Sequence, residues 1–94
     1  MSAKTIAALP LLASLAAKSA STYRGTDGGR GDRVCYTMRR CDVERIAAIQ
    51  ALADAGLTLW VHTGNVIRAC VNGTWTERKA PKCRQNVLVE VAFA

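Results

Sequence analysis

Four cysteines and one histidine are the residues of this 94-residue chain whose types could do metal or covalent chemistry: Cys35, Cys41, Cys70, Cys83 and His62. A structural zinc site draws its ligands in close pairs, usually two to four residues apart. Here the spacings are Cys-x5-Cys and Cys-x12-Cys, with one His to complete them, so no metal site is expected. Covalent catalysis asks for a nucleophile, a base and a group that orients the base. No such set surrounds any Cys and no acid/base pair stands out, so neither an enzyme nor a cofactor is expected. An even Cys count in a short chain suggests two disulfides. Each would contribute about 2–4 kcal/mol and would place the protein in an oxidising, extracytoplasmic compartment. Four free buried thiols in a cytosolic or virion protein are the alternative.

The size of the chain makes such staples useful. Ninety-four residues make one small domain, since folding units usually run to about 100–150 residues. A chain of this length buries only about 60–65% of the surface its unfolded form exposes. Half of it is hydrophobic but 5% is aromatic, so Ala, Val, Leu and Ile must build the core. No uninterrupted apolar run approaches the roughly 20 residues of a membrane span.

Residues 1–23 differ from the rest. Lys4 precedes an apolar run from Ile6 to Ala17, broken by Pro10 and Ser14, and small residues follow at Ser19, Ala20 and Ser21. That order describes a secretory signal. The same residues also suit a packing helix, with Ile6, Leu9, Leu12, Ala13 and Ala16 on one face. Residues 24–33 read as a Gly/Arg-rich linker. They contain the integrin-type tripeptide Arg30-Gly31-Asp32, to which no role is given.

The globular part spans residues 34–94. Val34 to Met38 suits a short strand. Asp42 is a good N-cap, Glu44 favours a helix N-terminus, and a helix is expected from Val43 through Ala55 with Ile46, Ile49 and Ala53 inward. Gly56 can supply the left-handed residue that stops it. Three strands of a meander follow: Leu57–His62, Val66–Val71 and Thr74–Arg78. Asn72-Gly73 is a two-residue hairpin signal that sets Cys70 opposite Trp75 and Arg68 opposite Glu77. A turn at Thr63-Gly64-Asn65 would set Trp60 opposite Arg68 and Leu59 opposite Ala69. Leu59, Val61, Ile67, Ala69 and Val71 would then share the face beneath the helix. Asn86 to Ala94 is expected as a last strand, with Val87, Val89, Val91 and Phe93 on one side. The expected class is α+β: a short strand, one amphipathic helix, an antiparallel three-stranded meander and a C-terminal strand, held by two disulfides.

In that arrangement the second sheet face carries Thr58, Trp60, His62, Val66, Arg68, Cys70 and Trp75. Two readings stand side by side. A disulfide at Cys70 packs on Trp75 under the N-terminal segment, or Trp60, Arg68 and Trp75 anchor a partner, since Trp and Arg dominate binding hot spots. His62 is read as a surface histidine. Thirteen basic residues against seven acidic ones give a net charge of +6. Arg78, Lys79, Lys82 and Arg84 form a stretch without an acid, a basic surface able to meet phosphates. No nucleic-acid-binding pattern accompanies it, so a solvated loop is the default and nucleic acid or an anionic surface is not favoured. Asn72-Gly73-Thr74 also fits a glycosylation acceptor, although the hairpin accounts for it fully.

The stretch Gly64-Asn-Val-Ile-Arg-Ala-Cys70-Val-Asn-Gly73-Thr-Trp75, followed by Pro81-Lys-Cys83, resembles the C-terminal half of a sushi (complement control) module. The likeness covers residues 64–83, and Ala53 stands where that family places its second Cys. It implies a non-catalytic, protein-binding module and, by analogy, Cys35–Cys70 and Cys41–Cys83 bridges. The expected function is a non-catalytic, exported, disulfide-stabilised module that binds another protein. The alternatives are a structural component of a virion or surface assembly that retains its N-terminal helix, bound to copies of itself, and a small secreted toxin or inhibitor.

Overall fold

The structure, a computed structural model, describes residues 3–17, 19, 21–25, 32–38 and 43–92. These form, in order, α1 (Ala3–Ala7), α2 (Leu9–Ala17), β1 (Ser21–Gly25), β2 (Arg33–Met38), α3 (Val43–Asp54), β3 (Leu59–Val71) and β4 (Thr74–Ala92). The four strands make one antiparallel sheet in the order β1-β2-β4-β3. Between Ala3 and Ala17 the helix is interrupted only at Ala8. Pro10 sits in the first turn of α2, where a missing N–H costs nothing, and the Leu12 amide donates to Ala8 at 3.0 Å. No helix among the described residues is long and apolar enough to cross a membrane.

The core lies between the helices and one sheet face. Ala8, Leu12 and Leu15 from the N-terminal segment join Leu52, Ala53 and Leu57. Opposite them stand Tyr36, Met38, Leu59, Val61, Val89 and Val91. In α3 the inward stripe is Ala48, Ile49, Leu52 and Ala53, whereas Ile46 is 63% exposed and lies off its edge. The helix ends as expected: Gly56 takes φ 84°, its amide reaches Ala53, and the Leu57 amide reaches Leu52. That pair is the Schellman closure of the last carbonyls. The Asp42 cap lies outside the described residues, as do Arg30, Gly31, Cys41 and Phe93.

Two expectations of fold class are corrected. The first is strand count. Thr63-Gly64-Asn65 is not a turn, and β3 runs through it; likewise β4 continues from the Asn72-Gly73 hairpin to Ala92. Leu59 therefore faces Val91 and Trp60 faces Glu90, not Ala69 and Arg68. The hairpin itself has the expected register, Cys70 to Trp75 and Arg68 to Glu77, with left-handed Asn72 (φ 52°) and Gly73 (φ 79°). Between these two stretches the ladder shifts at Gly64. β3 passes from His62 to Val66 while β4 passes from Lys79 to Leu88, so β4 carries the surplus residues as a bulge. Pro81, which cannot donate to a ladder, falls in it. The bulge also reverses the alternation: Cys70 rather than Val71 reaches the core, and Val71 is 48% exposed.

The second correction concerns the disulfides. Cys35, Cys70 and Cys83 take part in no disulfide, so the expected Cys35–Cys70 bridge does not form and Cys83 is unbridged; Cys41 lies outside the described residues. Cys35 shares its rung with Glu90 and Trp60 on the sheet face away from the helices. Cys70 lies in the core on the opposite face, and Cys83 is exposed on the bulge. Side chains on opposite faces of a sheet cannot meet the tight Cβ spacing of a disulfide.

Candidate functional site

β4 is central in the sheet, and from Leu88 to Ala92 it is buried on both faces. Its one charge there is Glu90, 4% exposed. A carboxylate so enclosed must find cations or donors. The register brings them: Arg33 and Cys35 from β2, His62 from β3. The Arg33 Nε donates to Glu90 Oε1 at 3.2 Å, and the His62 Nε2 donates to Glu90 Oε2 at 3.2 Å. The Cys35 thiol lies 3.9 Å from Oε1. Arg33 and His62 are themselves buried. The guanidinium lies against Gly25 of β1, where a Cβ would stand 3.0 Å from the Arg33 Cζ, so glycine there permits the close approach.

The Cys35 sulfur has the Glu90 carboxylate among its neighbours. The Glu90 acceptor places the ring proton of His62 on Nε2. Among the described residues, no three His, Cys, Asp or Glu side chains form a metal-ligand group. His62, expected on the surface, is instead 6% exposed and tied into the sheet.

His62 has a second role: with Ile67 it forms the floor of a recess of about 260 Å³ under the β4 bulge. Arg78, Lys82 and Arg84 rim it, and Ala80 and Pro81 complete the wall. Five residues of this part of β4 thus line the recess, and three of those five are cations. Lys79 and Cys83 do not line it. From Thr76 to Asn86 every residue except Ala80 is exposed, so the bulge is an outward basic strap.

The expected anchors are divided. Arg68 lies over the Trp75 ring, 4.7 Å from its centroid, a cation–π contact between residues diagonal on the hairpin. Trp75 packs its other atoms on the core and walls a groove of about 510 Å³ with Gln50, Asp54 and Asn72. Trp60 is half-buried beside Glu90 on the other face, at the far end of β3. Arg68 and Trp75 are therefore brought together, and Trp60 is not. The Asp of the Arg-Gly-Asp tripeptide, Asp32, is exposed and holds Arg24 through two hydrogen bonds, one of them 2.8 Å from Nε to Oδ1. That contact holds the Asp32 carboxyl below its ordinary value.

Glu90 and its ring of partners escape the sequence reading, yet a signal exists. Val87-Leu-Val-Glu-Val-Ala92 is apolar on both alternations except for one acid. Such a run marks a strand buried on both sides, and the lone carboxylate inside it demands a buried cation. No protein-family model, curated protein or solved structure matches this chain.

Proposed function

We propose that this protein is a non-catalytic interaction module that docks an acidic protein partner on the outer half of the β3–β4 ribbon. One observation carries the reading: the strap from Thr76 to Asn86 is exposed almost throughout and holds Arg78, Lys79, Lys82 and Arg84 against a single acid, Glu77. Arg68 stacked on Trp75 adds a preordered aromatic–cation anchor at the hairpin end of that surface, the pair of residue types that dominates hot spots. The ribbon needs no disulfide, so nothing in the reading calls for an oxidising compartment. A glutamate-rich peptide bearing one aromatic residue should shift amide signals of residues 66–86 in the isotope-labelled full chain. Its affinity should fall between about 50 and 300 mM salt, as screening shortens the reach of exposed charges. Binding that ignores salt, or shifts confined to the helices, would refute the docking surface.

A second reading, a component of a larger assembly, is supported by the N-terminal segment. Ala8, Leu12 and Leu15 belong to the core, while Ile6, Leu9 and Ile46 remain 56%, 44% and 63% exposed. Sizing across protein concentration distinguishes the two, because a chain that stays monomeric at every concentration does not assemble with copies of itself.

A further inference from the structure

We propose that the recess under the β4 bulge is a subsite for a phosphomonoester group, held by Arg78, Lys82 and Arg84 above the His62–Glu90 pair. The inference deepens the docking reading and rests on it: a phosphate-bearing side chain of the acidic partner would enter the recess while the rest of the partner lies along the ribbon.

Four observations converge. Arg78, Ala80, Lys82 and Arg84 are alternate residues of one strand, all lining the same concavity. Between Arg78 and Lys82 that alternation holds Ala80, whose single methyl leaves room between those two cations. The volume of about 260 Å³ is below the roughly 300–1,000 Å³ of pockets that enclose whole ligands, which suits one head group of a larger molecule. Below the cations, the Glu90 carboxylate is already engaged by the Arg33 guanidinium and by the His62 ring, so the recess floor presents a paired carboxylate and not a lone one.

The chemistry favours phosphate over carboxylate. A phosphomonoester carries about −1.5 to −2 charges and three acceptor oxygens. Two guanidinium forks and an ammonium match that count, since Arg grips such groups through paired N–H donors and Lys acts as a mobile point charge. A carboxylate offers two oxygens and one charge and would leave part of the rim unused.

The test compares three probes on the full chain by calorimetry: a glutamate-rich peptide with one phosphoserine, the same peptide with serine, and inorganic phosphate. The phosphopeptide should bind about tenfold or more tightly than its serine counterpart, as expected for added charge-assisted bonds. Ala80→Met fills the recess without changing charge and should abolish that preference while leaving the salt-dependent binding of the serine peptide. Arg78→Gln should weaken the phosphopeptide about tenfold, whereas Lys79→Gln, the same charge lost outside the recess, should cost about twofold. Inorganic phosphate binding as tightly as the phosphopeptide would identify free phosphate as the source of the group. Equal losses in Arg78→Gln and Lys79→Gln, with Ala80→Met still preferring the phosphopeptide, would overturn the subsite and leave the basic ribbon standing. So would a single-stranded oligonucleotide that outcompetes the phosphopeptide and is indifferent to Ala80→Met. Failure of both peptides to bind would overturn the subsite and the docking surface together.

Discussion

Replacing Glu90 by Leu should unfold much of this protein's stability margin, and replacing Arg33 along with it should return most of the loss. Glu90, Arg33 and His62 are 4%, 8% and 6% exposed, and both contacts to the carboxylate are 3.2 Å. Removing one partner of a buried pair typically costs about 3–5 kcal/mol, because the remaining charge keeps its desolvation penalty without that counter-charge. At roughly 0.05–0.15 kcal/mol per residue, a domain of this length holds about 5–14 kcal/mol in total. Glu90→Leu therefore consumes a large share, and at about 4–8 °C per kcal/mol it should lower Tm by roughly 12–40 °C. Arg33→Met with Glu90→Leu exchanges the pair for apolar volume and should come within about 1 kcal/mol of the parent, since such exchanges are often neutral. Urea unfolding followed by Trp60 and Trp75 emission gives both numbers, provided the m value stays constant. A loss below about 1 kcal/mol in Glu90→Leu, or a double variant no more stable than the single one, would show that the cluster behaves as a solvated surface pair.

Three further outcomes are expected. Leu15, fully buried in the core, should cost about 2–5 kcal/mol when changed to Ala; a neutral result in a urea melt would mean that α2 does not pack on the fold. A thiol reagent should modify Cys83 in the native protein but reach Cys35 and Cys70, both 0% exposed, only on unfolding, and a disulfide-linked peptide containing any of the three would contradict the structure. Burial first, and then the Cys35 thiol, raises the Tyr36 phenol above its ordinary 10.0. A raised folded value supports the fold fully below the unfolded pKa and withdraws that support as pH rises through the folded one. Unfolding free energy should thus decline more steeply above pH 10 in the parent than in Tyr36→Phe, and parallel curves would refute it.

The parts of this fold that were legible in the sequence are those decided by near neighbours. Gly56 and the α3 terminus, the left-handed Asn72-Gly73 turn and the pairing of Cys70 with Trp75 all depend on residues within one turn or one hairpin. β1 was not legible: Tyr23, Arg24 and Gly25 have no apolar alternation, and they form a strand because β2 offers an edge. The disulfide expectation failed for a related reason. Cys parity counts residues, whereas a bridge depends on which face each residue takes, and Cys35 and Cys70 take opposite ones.

The bulge is where local pattern and long-range pairing part company, and it accounts for both the misread strands and the site. Thr63-Gly64-Asn65 has turn composition, and read alone it folds β3 back on itself. Pairing Leu59 and Val61 with Val91 and Val89 instead buries four apolar side chains in one core, which no hairpin at Gly64 offers to β4. The Asn72-Gly73 turn independently fixes the other end of the same two strands. With both ends pinned, the surplus length of β4 has nowhere to go except outward, and the residues forced out are Pro81 and the basic alternation around it. The same constraint reverses the facing of β3, which brings Ile67 to the side of His62 and Cys70 to the core. The recess and the cation rim are thus consequences of a register mismatch between two well-determined pairings. A deletion that shortens residues 80–83 should therefore remove the recess while leaving Leu59–Val91 and Cys70–Trp75 paired.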